Sequence, residues 1–552
     1  MAEPLRQVIV VDGLALHMRR LGAGPPVILL HESPRSSVVL LPLANSLAAR
    51  FTVFAIDTPG YGFSDPLPIR RPEITNFADA IARCLRRAGL VQVPIYGTHT
   101  GATIAAEIAR RHRDVAAGVV LDGYPLFTTF ERDLHHQFYL PEFEPAWDGS
   151  HVMRLWARVR DQYSFFPWYL PGDATRLDRD PPTPEQQTMV VGDFLSAGRH
   201  YASAYAASFR FDARETLRHI AVPVHIVSRA DDLLFEHLER PPELPEFVRV
   251  ERLGTDRLAW AARIADLLGA LSSRAQAPAP FDSHDGNADG LLASSGGDLL
   301  LRRYETPTAI ERPLLLLHDA PGGAWQWHDV ARRAARRRRV FVPELPGHGV
   351  SPRLRADADP LQASIDRIAR LADQLAFDSF DLCGIGSGAV IARKLAAQLP
   401  ARVHRLLLVD PARLDGATVD ELAPSRTPSW DGHHLTAAWF QLRDSRLYRP
   451  WCHRRRANAR RVGIDLDIAE LQQRFVSLVR SGNDHLPLLH AALKDEADHR
   501  RTASVILAAE DPDVTTVGAA FAAQGCEVTA ASRDLLADAV VSWTESGDAC
   551  LV

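Results

Sequence analysis

Residues 93–107 read VPIYGTHTGATIAAE, and residues 380–394 read FDLCGIGSGAVIARK. Each stretch opens with an apolar run, passes through two glycines four residues apart, and continues with small and apolar residues. This pattern predicts a buried strand, a sharp turn and a helix. Because the central side chain of such a turn projects from the head of the helix, His99 and Gly386 decide what chemistry each turn can perform.

The two stretches belong to a repeat that covers nearly the whole chain. Seven pairs of identical residues, such as His31 and His318, are each separated by the same 287 positions. The stretch WDGSHVMRLWARVRDQYSFFPW at 147–168 matches WDGHHLTAAWFQLRDSRLYRPW at 430–451. Each copy has about 265 residues, a period far too long for a solenoid. The 552 residues are therefore predicted to form two domains.

We expect domains at residues 1–271 and 287–552, joined by a linker at 272–286 that is rich in Ala, Pro, Ser, Gly and Asp. In each domain, continuous apolar runs alternate with helical stretches, which predicts an α/β fold with a doubly wound sheet. A long aromatic insert follows a strand in each copy, at about 124–216 and about 411–500. Each insert is predicted to be a helical lid over the edge where such sheets bind ligands.

Composition and charge exclude several classes of protein. With 46% hydrophobic and 24% charged residues, the chain is not collagen-like, disordered or a disulfide scaffold. A net charge of −5 gives no reason to expect nucleic acid or a membrane surface as a partner. Five scattered cysteines favour a cytoplasmic protein without structural zinc. The sequence shows no metal-ligand cluster and no Rossmann glycine motif, so we predict neither a metal nor an organic cofactor.

Three motifs in order resemble the α/β-hydrolase superfamily. HESP at 31–34, after an apolar strand, resembles the oxyanion loop, and PGYGFS at 59–64 resembles the PGxGxS loop. GTHTG at 97–101 stands where the superfamily has GxSxG, and this GxHTG form is similar to a poorly characterised branch. The resemblance covers nearly the whole chain. It implies two tandem α/β-hydrolase-like domains, each with a helical lid, and a small-molecule substrate.

The first copy departs from the superfamily's triad at two of three positions. His99 replaces the serine, and the position of the usual histidine holds Arg257. The acid that follows the VPVHIVS strand is Asp232, with the adjacent Asp231 as the alternative. A Ser-His-Asp esterase mechanism is therefore not predicted.

The second copy departs further. Gly386 has no side chain, so we expect this copy to be non-catalytic. The position of the acid holds Asp511, and the position of the histidine holds Arg533 or Asp534.

His99 permits three interpretations. A neutral imidazole with a pKa near 6.5 is a general base for water, or a nucleophile that forms an acyl-imidazole. The third interpretation is a relic that fills the pocket floor. By carry-over from the superfamily, the oxyanion-hole donors are the backbone N–H groups of Thr100 and Glu32.

The repeated lid motif supplies further candidates. We expect His151 to provide the missing imidazole, and Arg160 to hold a substrate carboxylate or phosphate. Trp156 and Arg160 lie four residues apart and are predicted to share a helix face. His31 and Arg35, at the oxyanion loop, complete the candidate substrate-binding residues. The alternative is that the lid residues only pack, because the second copy keeps the same motif above a turn without a side chain.

The resulting hypothesis is a cofactor-free hydrolase of a small ester, lactone, amide or C–C-bonded carbonyl substrate, active in the first copy. The alternatives are a non-enzymatic ligand-binding protein, and a cofactor-free lyase or isomerase that uses His99 as a proton shuttle. The two copies are expected to pack as an intrachain pseudo-dimer.

Overall fold

The computed structural model describes residues 4–241, 244–272, 290–293, 299–304, 311–349, 351–460, 467–495, 504–508, 527–531 and 538–543. Their contacts divide the chain into two compact units, residues 1–144 with 154–284 and residues 145–153 with 285–552. The predicted domain limits did not anticipate that residues 145–153 group with the second unit. The predicted linker lies outside the described residues, apart from Ser272.

Eight strands form the sheet of the first unit. They are β1 (Leu5–Val11), β2 (Leu14–Leu21), β3 (Pro26–Leu30), β4 (Thr52–Ile56), β5 (Val93–Thr98), β6 (Ala116–Asp122), β7 (Val224–Arg229) and β8 (Val248–Leu253). Their order is β1-β2-β4-β3-β5-β6-β7-β8. β2 pairs antiparallel with β1 and β4, and the other neighbours are parallel. Every residue of β3 and β4 is buried, which explains their continuous apolar sequences.

Among the described residues of this part of the chain, nine α-helices accompany the sheet. They are α1 (Leu41–Leu47), α2 (Ile74–Arg87), α3 (Thr100–Arg111), α4 (Thr129–Phe138), α5 (Ser150–Ser164), α6 (Pro184–Ala197), α7 (Ser203–Arg210), α8 (Ala213–His219) and α9 (Arg257–Leu271). The first residues of α5 group with the second unit. α1 and α9 pack with β3 and β4 in one apolar cluster. α4 to α8 all lie between β6 and β7, where the aromatic insert was predicted. The insert places helices after the carboxyl end of β6, beside the turn that carries His99.

The second unit repeats the architecture. Its strands are β9 (Gly290–Ala293), β10 (Leu300–Tyr304), β11 (Glu311–Leu317), β12 (Arg338–Pro343), β13 (Phe380–Ile385), β14 (Val403–Val409), β15 (Ser504–Ala508) and β16 (Glu527–Ala531). Their order, β9-β10-β12-β11-β13-β14-β15-β16, is that of the first sheet. The helices are α10 (His328–Ala334), α11 (Pro360–Gln374), α12 (Ser387–Gln398), α13 (Val419–Leu422), α14 (His433–Leu447), α15 (Ile468–Ser481) and α16 (Leu486–Lys494). The fold prediction of two tandem α/β domains is confirmed.

Two further properties concern the described residues. None of their helices has both the length and the apolarity needed to cross a membrane. Cys84, Cys383 and Cys452 are free thiols.

Candidate active site

The turn between β5 and α3 holds His99 in a conformation that L-residues rarely adopt, with φ +48° and ψ −112°. Two glycines permit the turn: a Cβ on Gly97 would lie 2.3 Å from the Gly101 carbonyl oxygen, and one on Gly101 would lie 2.3 Å from the Leu30 carbonyl oxygen. The His99 N–H donates to the Asp122 carbonyl oxygen at 3.0 Å. Contacts with β3 and β6 thus maintain the strained backbone.

The His99 imidazole lies against the carboxylate of Asp232. Its Nε2 is 3.1 Å from Oδ1 and 3.0 Å from Oδ2, and the two side chains are 28% and 17% exposed. Asp232 Oδ1 also accepts from the Leu234 N–H at 2.8 Å, which orients the carboxylate. The adjacent Asp231 instead accepts from Arg229 Nε at 2.8 Å. Of the two acids left open by the sequence, Asp232 is the one within hydrogen-bond distance of His99.

Gly123, directly after β6, leaves room for this pair. It has φ +58°, and a Cβ there would lie 2.4 Å from His99 Cδ2 and 3.1 Å from Asp232 Oδ1. A side chain at this position would therefore collide with the imidazole. The sequence analysis did not single out Gly123, although a glycine that ends an apolar strand is a signal for a turn.

The contact between His99 and Asp232 changes the charge of both groups. Burial disfavours the imidazolium, but the carboxylate of Asp232 outweighs this effect and raises the pKa of His99 to about 9. Burial also disfavours the carboxylate, but His99 outweighs it and lowers the pKa of Asp232 to about 2. At neutral pH the two form an imidazolium–carboxylate pair. The expectation of a neutral imidazole with a pKa near 6.5 is corrected accordingly.

Asp122 is a second acid near the pair that was not predicted from the sequence. Its Oδ2 accepts from Tyr96 Oη at 2.8 Å and from Trp260 Nε1 at 2.9 Å. Burial, opposed by the Tyr96 hydrogen bond and reinforced by the charge of Asp232, raises the pKa of Asp122 to about 6. The site therefore contains a buried carboxyl group that titrates close to neutral pH.

The predicted oxyanion donors lie at the expected elements. Thr100 is the first residue of α3, so its N–H has no acceptor within the helix. Glu32 follows His31, whose Nδ1–H donates to the Glu32 carbonyl oxygen at 2.8 Å and whose Nε2 accepts from the Thr58 N–H at 3.0 Å. His31 is only 1% exposed. Since backbone groups engage both ring nitrogens, we correct its assignment from substrate binding to positioning of the oxyanion loop.

The second unit places a carboxylate at the corresponding turn. Gly386 has φ +57° and ψ −119°, close to the angles of His99. Asp319 Oδ1 accepts from the Ser387 N–H at 2.9 Å and from the Ala320 N–H at 2.8 Å. Ser387 corresponds to Thr100, so the N–H at the head of this helix donates to a side-chain carboxyl oxygen in the second unit. The absent side chain makes room, because a Cβ on Gly386 would lie 2.1 Å from Asp319 Oδ1.

Arg257 stands at the position expected for the triad histidine of the first copy. Arg257 is 75% exposed and lies 4.0 Å from Asp231. In the second copy, Asp511, Arg533 and Asp534 lie outside the described residues.

An aromatic pocket opens beside His99 and Thr100. Six rings line it, contributed by Phe127, His135, Tyr139, Phe166, Tyr205 and Phe209. Burial lowers the pKa of His135 to about 4, so this ring is neutral beside the cationic His99. Its Nδ1 lies 3.1 Å from Tyr169 Oη. Rings in this arrangement suit a planar apolar group.

The predicted lid residues Trp156 and Arg160 do not line this pocket. Trp156 is 2% exposed, and its carbonyl oxygen accepts from Gln187 Nε2 at 3.1 Å. Arg160 is exposed. Arg35 donates from Nε to Asp193 Oδ2 at 2.8 Å, so its charge is paired with α6. Trp156 is therefore assigned to packing and Arg35 to an ion pair within the protein, whereas substrate binding by Arg160 stays a prediction.

His151 lies in residues 145–153, which group with the second unit. Its Nδ1 accepts from the Ala146 N–H at 3.1 Å, and its Nε2 lies 3.1 Å from Gln472 Oε1. Its ring contacts Trp439 edge-on, with the centroids 4.7 Å apart. Both ring nitrogens of His151 thus have partners within that unit, and its catalytic role stays a prediction.

A different arginine of the same helix, Arg158, is buried, whereas Arg160 is exposed. Arg158 is 3% exposed and stacks on aromatic rings. The helical period relates residues on one face but leaves open which face turns inward. Within the described part of the chain, no group of three or more His, Cys, Asp or Glu side chains is arranged to hold a metal ion.

Comparison with curated proteins finds hydrolases. The chain is 32% identical over 120 residues to a 2-(acetamidomethylene)succinate hydrolase from Mesorhizobium japonicum, a match that spans 22% of this chain and 43% of that protein. It is 36% identical over 104 residues to a 2-hydroxymuconate semialdehyde hydrolase from a Pseudomonas species, spanning 18% and 36%. A pimeloyl-[acyl-carrier protein] methyl ester esterase from Chromobacterium violaceum is 35% identical over 107 residues, spanning 19% and 39%. Each match spans less than half of the relative.

Solved structures resemble one half of the chain. The crystal structure of E-2-(acetamidomethylene)succinate hydrolase covers 49% of this chain and 97% of its own, with 22% identity and a TM-score of 0.36. Epoxide hydrolase A from Mycobacterium thermoresistibile covers 49% and 97%, with 18% identity and a TM-score of 0.38. The model of the α/β-hydrolase fold matches residues 25–235 and again residues 312–459. The chain belongs to the α/β-hydrolase fold family, with the fold present twice in tandem.

Proposed function

We propose that the first unit is a cofactor-free hydrolase of a small ester, lactone, amide or C–C-bonded carbonyl substrate, with the His99–Asp232 pair as its acid–base centre. The observation that carries the proposal is the contact of His99 Nε2 with both carboxylate oxygens of Asp232, at 3.1 and 3.0 Å, on the strained turn at the head of α3. An aromatic pocket beside this contact and the names of the hydrolase relatives support it.

Asp232 selects the role of each ring nitrogen. In the neutral imidazole, Nε2–H donates to the carboxylate, and Nδ1 carries the lone pair that accepts a proton. Nδ1 is the ring nitrogen nearest the backbone, which favours proton transfer from a water molecule over direct attack on a carbonyl carbon. We therefore assign His99 as a general base and not as a nucleophile.

The proposed reaction is direct hydrolysis. Neutral His99 takes a proton from water as the water oxygen bonds to the carbonyl carbon. The Thr100 and Glu32 N–H groups stabilise the resulting oxyanion, as the Ser387 N–H binds the carboxylate in the second unit. When the tetrahedral species collapses, the bond to the leaving group breaks and the imidazolium returns its proton to that group. The products are an acid and the protonated leaving group.

The His99→Gly variant tests the proposal, because it gives the first unit the residue of the second unit's turn. Glycine adopts φ +48° without strain, so the fold is retained. We expect kcat/KM for 4-nitrophenyl acetate and its short-chain homologues to fall about 10²-fold or more. Arg113→Ala, an exposed change in the same unit, is the control. Wild-type rates in His99→Gly would contradict the catalytic role of His99 and would favour the alternative of a non-enzymatic ligand-binding protein.

A lyase or isomerase is the second candidate, favoured by one observation. The raised pKa of His99, about 9, keeps a proton on the imidazole at neutral pH, which suits a proton donor. Product formed in ¹⁸O-labelled water distinguishes the two. A hydrolase incorporates one labelled oxygen per turnover, whereas a lyase or isomerase incorporates none.

For the second unit we propose a non-catalytic role as the partner copy in an intrachain pseudo-dimer. The repeated lid motif and the side-chain-free turn at Gly386 support this proposal. Small-angle scattering of the full chain tests it, because two units tumbling independently would contradict a pseudo-dimer. The cytoplasmic location stays a prediction from cysteine usage.

A further inference from the structure

Asp193, in the lid helix α6, contacts the oxyanion loop, which carries the proposed donor Glu32. Its Oδ2 accepts from Arg35 Nε at 2.8 Å, and its Oδ1 accepts from Ser36 Oγ at 3.0 Å. The side chains of Arg35 and Asp193 are 14% and 17% exposed, so water and salt screen this ion pair little. One carboxylate of the lid thus binds two consecutive residues of the loop.

A turn from Glu32 to Arg35 connects this contact to the proposed donor. The Arg35 N–H donates to the Glu32 carbonyl oxygen at 3.0 Å, and His31 Nδ1 lies 2.8 Å from the same oxygen. The N–H and the carbonyl group of Glu32 flank one α-carbon and are separated by only two soft dihedral angles. A displacement of Arg35 is therefore transmitted to the Glu32 N–H.

The sheet holds the oxyanion loop from its other side. The Ser37 N–H donates at 2.7 Å to Oδ1 of Asp57, a buried residue that directly follows β4. Ser36 and Ser37 are neighbours in the sequence, yet their partners are a carboxylate of the lid and a carboxylate of the core. The loop is thus fixed between the two layers, and its position depends on where α6 lies.

The residue of the second unit that corresponds to Asp193 is Ser477, in α15. Each residue lies five positions before the glycine that ends its helix, Gly198 with φ +52° or Gly482 with φ +53°. Ser477 Oγ accepts from Trp325 Nε1 at 2.9 Å. Trp325 follows β11, in the segment that corresponds to the oxyanion loop. The lid helix therefore contacts this loop in both units.

The contact carries charge in the first unit and is neutral in the second. The separation of 287 positions between the copies places Gly322 and Gly323 where the first unit has Arg35 and Ser36. A neutral hydrogen bond therefore suffices to pack the lid on the loop where the turn has no side chain. Burying an ion pair has a desolvation cost that such packing does not require. The ion pair accompanies His99, which indicates a role in the chemistry of that unit.

We propose that Asp193 is a positioning residue: through its two contacts it holds the oxyanion loop to the lid helix and thereby aims the Glu32 N–H at the reacting carbonyl oxygen. The oxyanion hole is then complete only when α6 is seated on the loop. The role in the reaction rests on the proposed hydrolase function. The attachment of the loop to the lid does not, and it can be measured without turnover.

Asp193→Asn removes the ion pair, and Glu73→Gln is the matched control. Glu73, the N-cap of α2, also pairs with a lid arginine, because its Oε1 accepts from Arg210 Nε at 3.0 Å. An oxyanion donor acts on the transition state, so we expect Asp193→Asn to lower kcat for 4-nitrophenyl acetate at least about tenfold and to change KM by less than about threefold. Glu73→Gln is expected to keep the wild-type kcat. A wild-type kcat in Asp193→Asn, whatever its KM, would overturn the proposal.

A double-mutant cycle distinguishes positioning from a separate effect on the lid. Arg35→Gln and Asp193→Asn break the same ion pair, so we expect the double variant to have the kcat of the slower single variant within about twofold. Losses that multiply in the double variant would contradict an action through Arg35. If Asp193→Asn does not fold, Ser36→Ala keeps the ion pair and removes one hydrogen bond to Asp193. We expect it to lower kcat about threefold or more at unchanged KM, and a wild-type kcat there would count against the proposal.

Hydrogen exchange tests the attachment of the loop without turnover. The Arg35 and Val39 N–H groups form hydrogen bonds within the loop. We expect peptides from residues 31–40 to exchange at least about tenfold faster in Asp193→Asn, and at the wild-type rate in Glu73→Gln. Wild-type exchange in Asp193→Asn would refute the attachment. If the wild type hydrolyses no ester while the exchange rates change as expected, the proposed function fails and the attachment of the loop to the lid stands.

Discussion

The turns at His99 and Gly386 have nearly the same backbone and different contents. Their φ angles are +48° and +57°, and their ψ angles are −112° and −119°. The first turn presents an imidazole held by Asp232, whereas the second has no side chain and holds the carboxylate of Asp319 against the head of its helix. The comparison teaches that the turn belongs to the fold, while its chemistry depends on a few side chains around it.

The position after the sixth strand of each sheet completes the contrast. It is Gly123 in the first unit and Asp410 in the second, where the Asp410 carboxylate pairs with Arg449 at 2.9 Å and Arg413 at 3.0 Å. In the first unit, Gly123 leaves space for the imidazole. In the second unit, the ion-paired Asp410 stands at the same position. The first unit thus combines His99 at the turn with Gly123 after the strand. The second unit combines Gly386 at the turn with Asp410 after the strand.

The largest effect is expected from disturbing this space in the first unit. In Gly123→Ala, the new Cβ would lie 2.4 Å from His99 Cδ2 and displace the imidazole from Asp232. We expect ester hydrolysis to fall about 100-fold or more, measured as kcat/KM. Gly198→Ala is the matched control, because Gly198 also has a positive φ but no atom lies within 4 Å of the new Cβ. An equal loss in both variants would indicate backbone strain and not displacement of His99.

Asp232→Asn tests the pair itself, with Asp231→Asn as the control. Without the carboxylate, burial is no longer offset, and the pKa of His99 is expected to fall from about 9 to 6.5 or lower, which NMR of the imidazole would follow. For a general base, the wild-type rate rises with pH through about 9. At pH 10 we expect Asp232→Asn to be about 30-fold slower, and at pH 7 the deficit to shrink, because more of its His99 is neutral. A deficit that does not change with pH would contradict the role of His99 as a base.

Thermal unfolding supplies an independent readout of the same pair. The pKa of His99 is raised on folding, so its contribution to stability is complete below about 6.5 and is lost as the pH rises through about 9. The pKa of Asp232 is lowered to about 2, so its contribution is complete above 3.8 and is lost as the pH falls through about 2. The difference in Tm between wild type and Asp232→Asn is therefore expected to be largest between about pH 4 and 6.5.

The sequence predicted the strands and turns of the two units better than the contacts of their side chains. The apolar strands, the turn glycines and the repeat give the fold, because burial and strand–turn–helix geometry leave direct patterns in the residues. Asp232 was found because the superfamily's acid follows the strand that the VPVHIVS run predicts, which is β7. Gly123 and Asp122 were missed, because their importance depends on distances across the sheet edge that no local pattern encodes.

The lid shows why helix faces are harder to predict. Trp156 and Arg160 were expected to share a functional face, yet Trp156 is buried and Arg160 is exposed. The buried residues Val152, Leu155 and Val159 follow the helical period, and Arg158 lies at the edge of this stripe. Packing against neighbouring aromatic residues decides which residues beside this stripe are buried. Such packing is a tertiary property that the helical period does not encode.

His31 and His318 are a position at which the two units agree, because both histidines make the same hydrogen bonds. His318 Nδ1 lies 2.7 Å from the Asp319 carbonyl oxygen, and its Nε2 accepts from the Leu345 N–H at 2.8 Å, as His31 does with Glu32 and Thr58. Alanine at either position leaves a buried backbone donor and acceptor unpaired. We expect each variant to lose about 2 kcal/mol of unfolding free energy in urea. A large loss for one histidine only would show that the two loops are not equivalent.

The smallest effect is expected from Asp319→Asn, which keeps an oxygen for the Ser387 N–H and removes the charge. Burial raises the pKa of Asp319, so the folded second unit binds a proton more readily than the unfolded chain, and the wild type loses stability as the pH rises above 3.8. The asparagine variant does not titrate. We therefore expect equal hydrogen-exchange protection of α12 near pH 4 and slightly higher protection in the variant at pH 8, by about 1 kcal/mol or less. Peptides from α3, whose turn holds no such carboxylate, serve as the internal control. If the variant were less protected than the wild type at pH 8, a charge on Asp319 would be stabilising the turn at Gly386. The head of α12 would then act as an anion-binding site that the Asp319 carboxylate occupies.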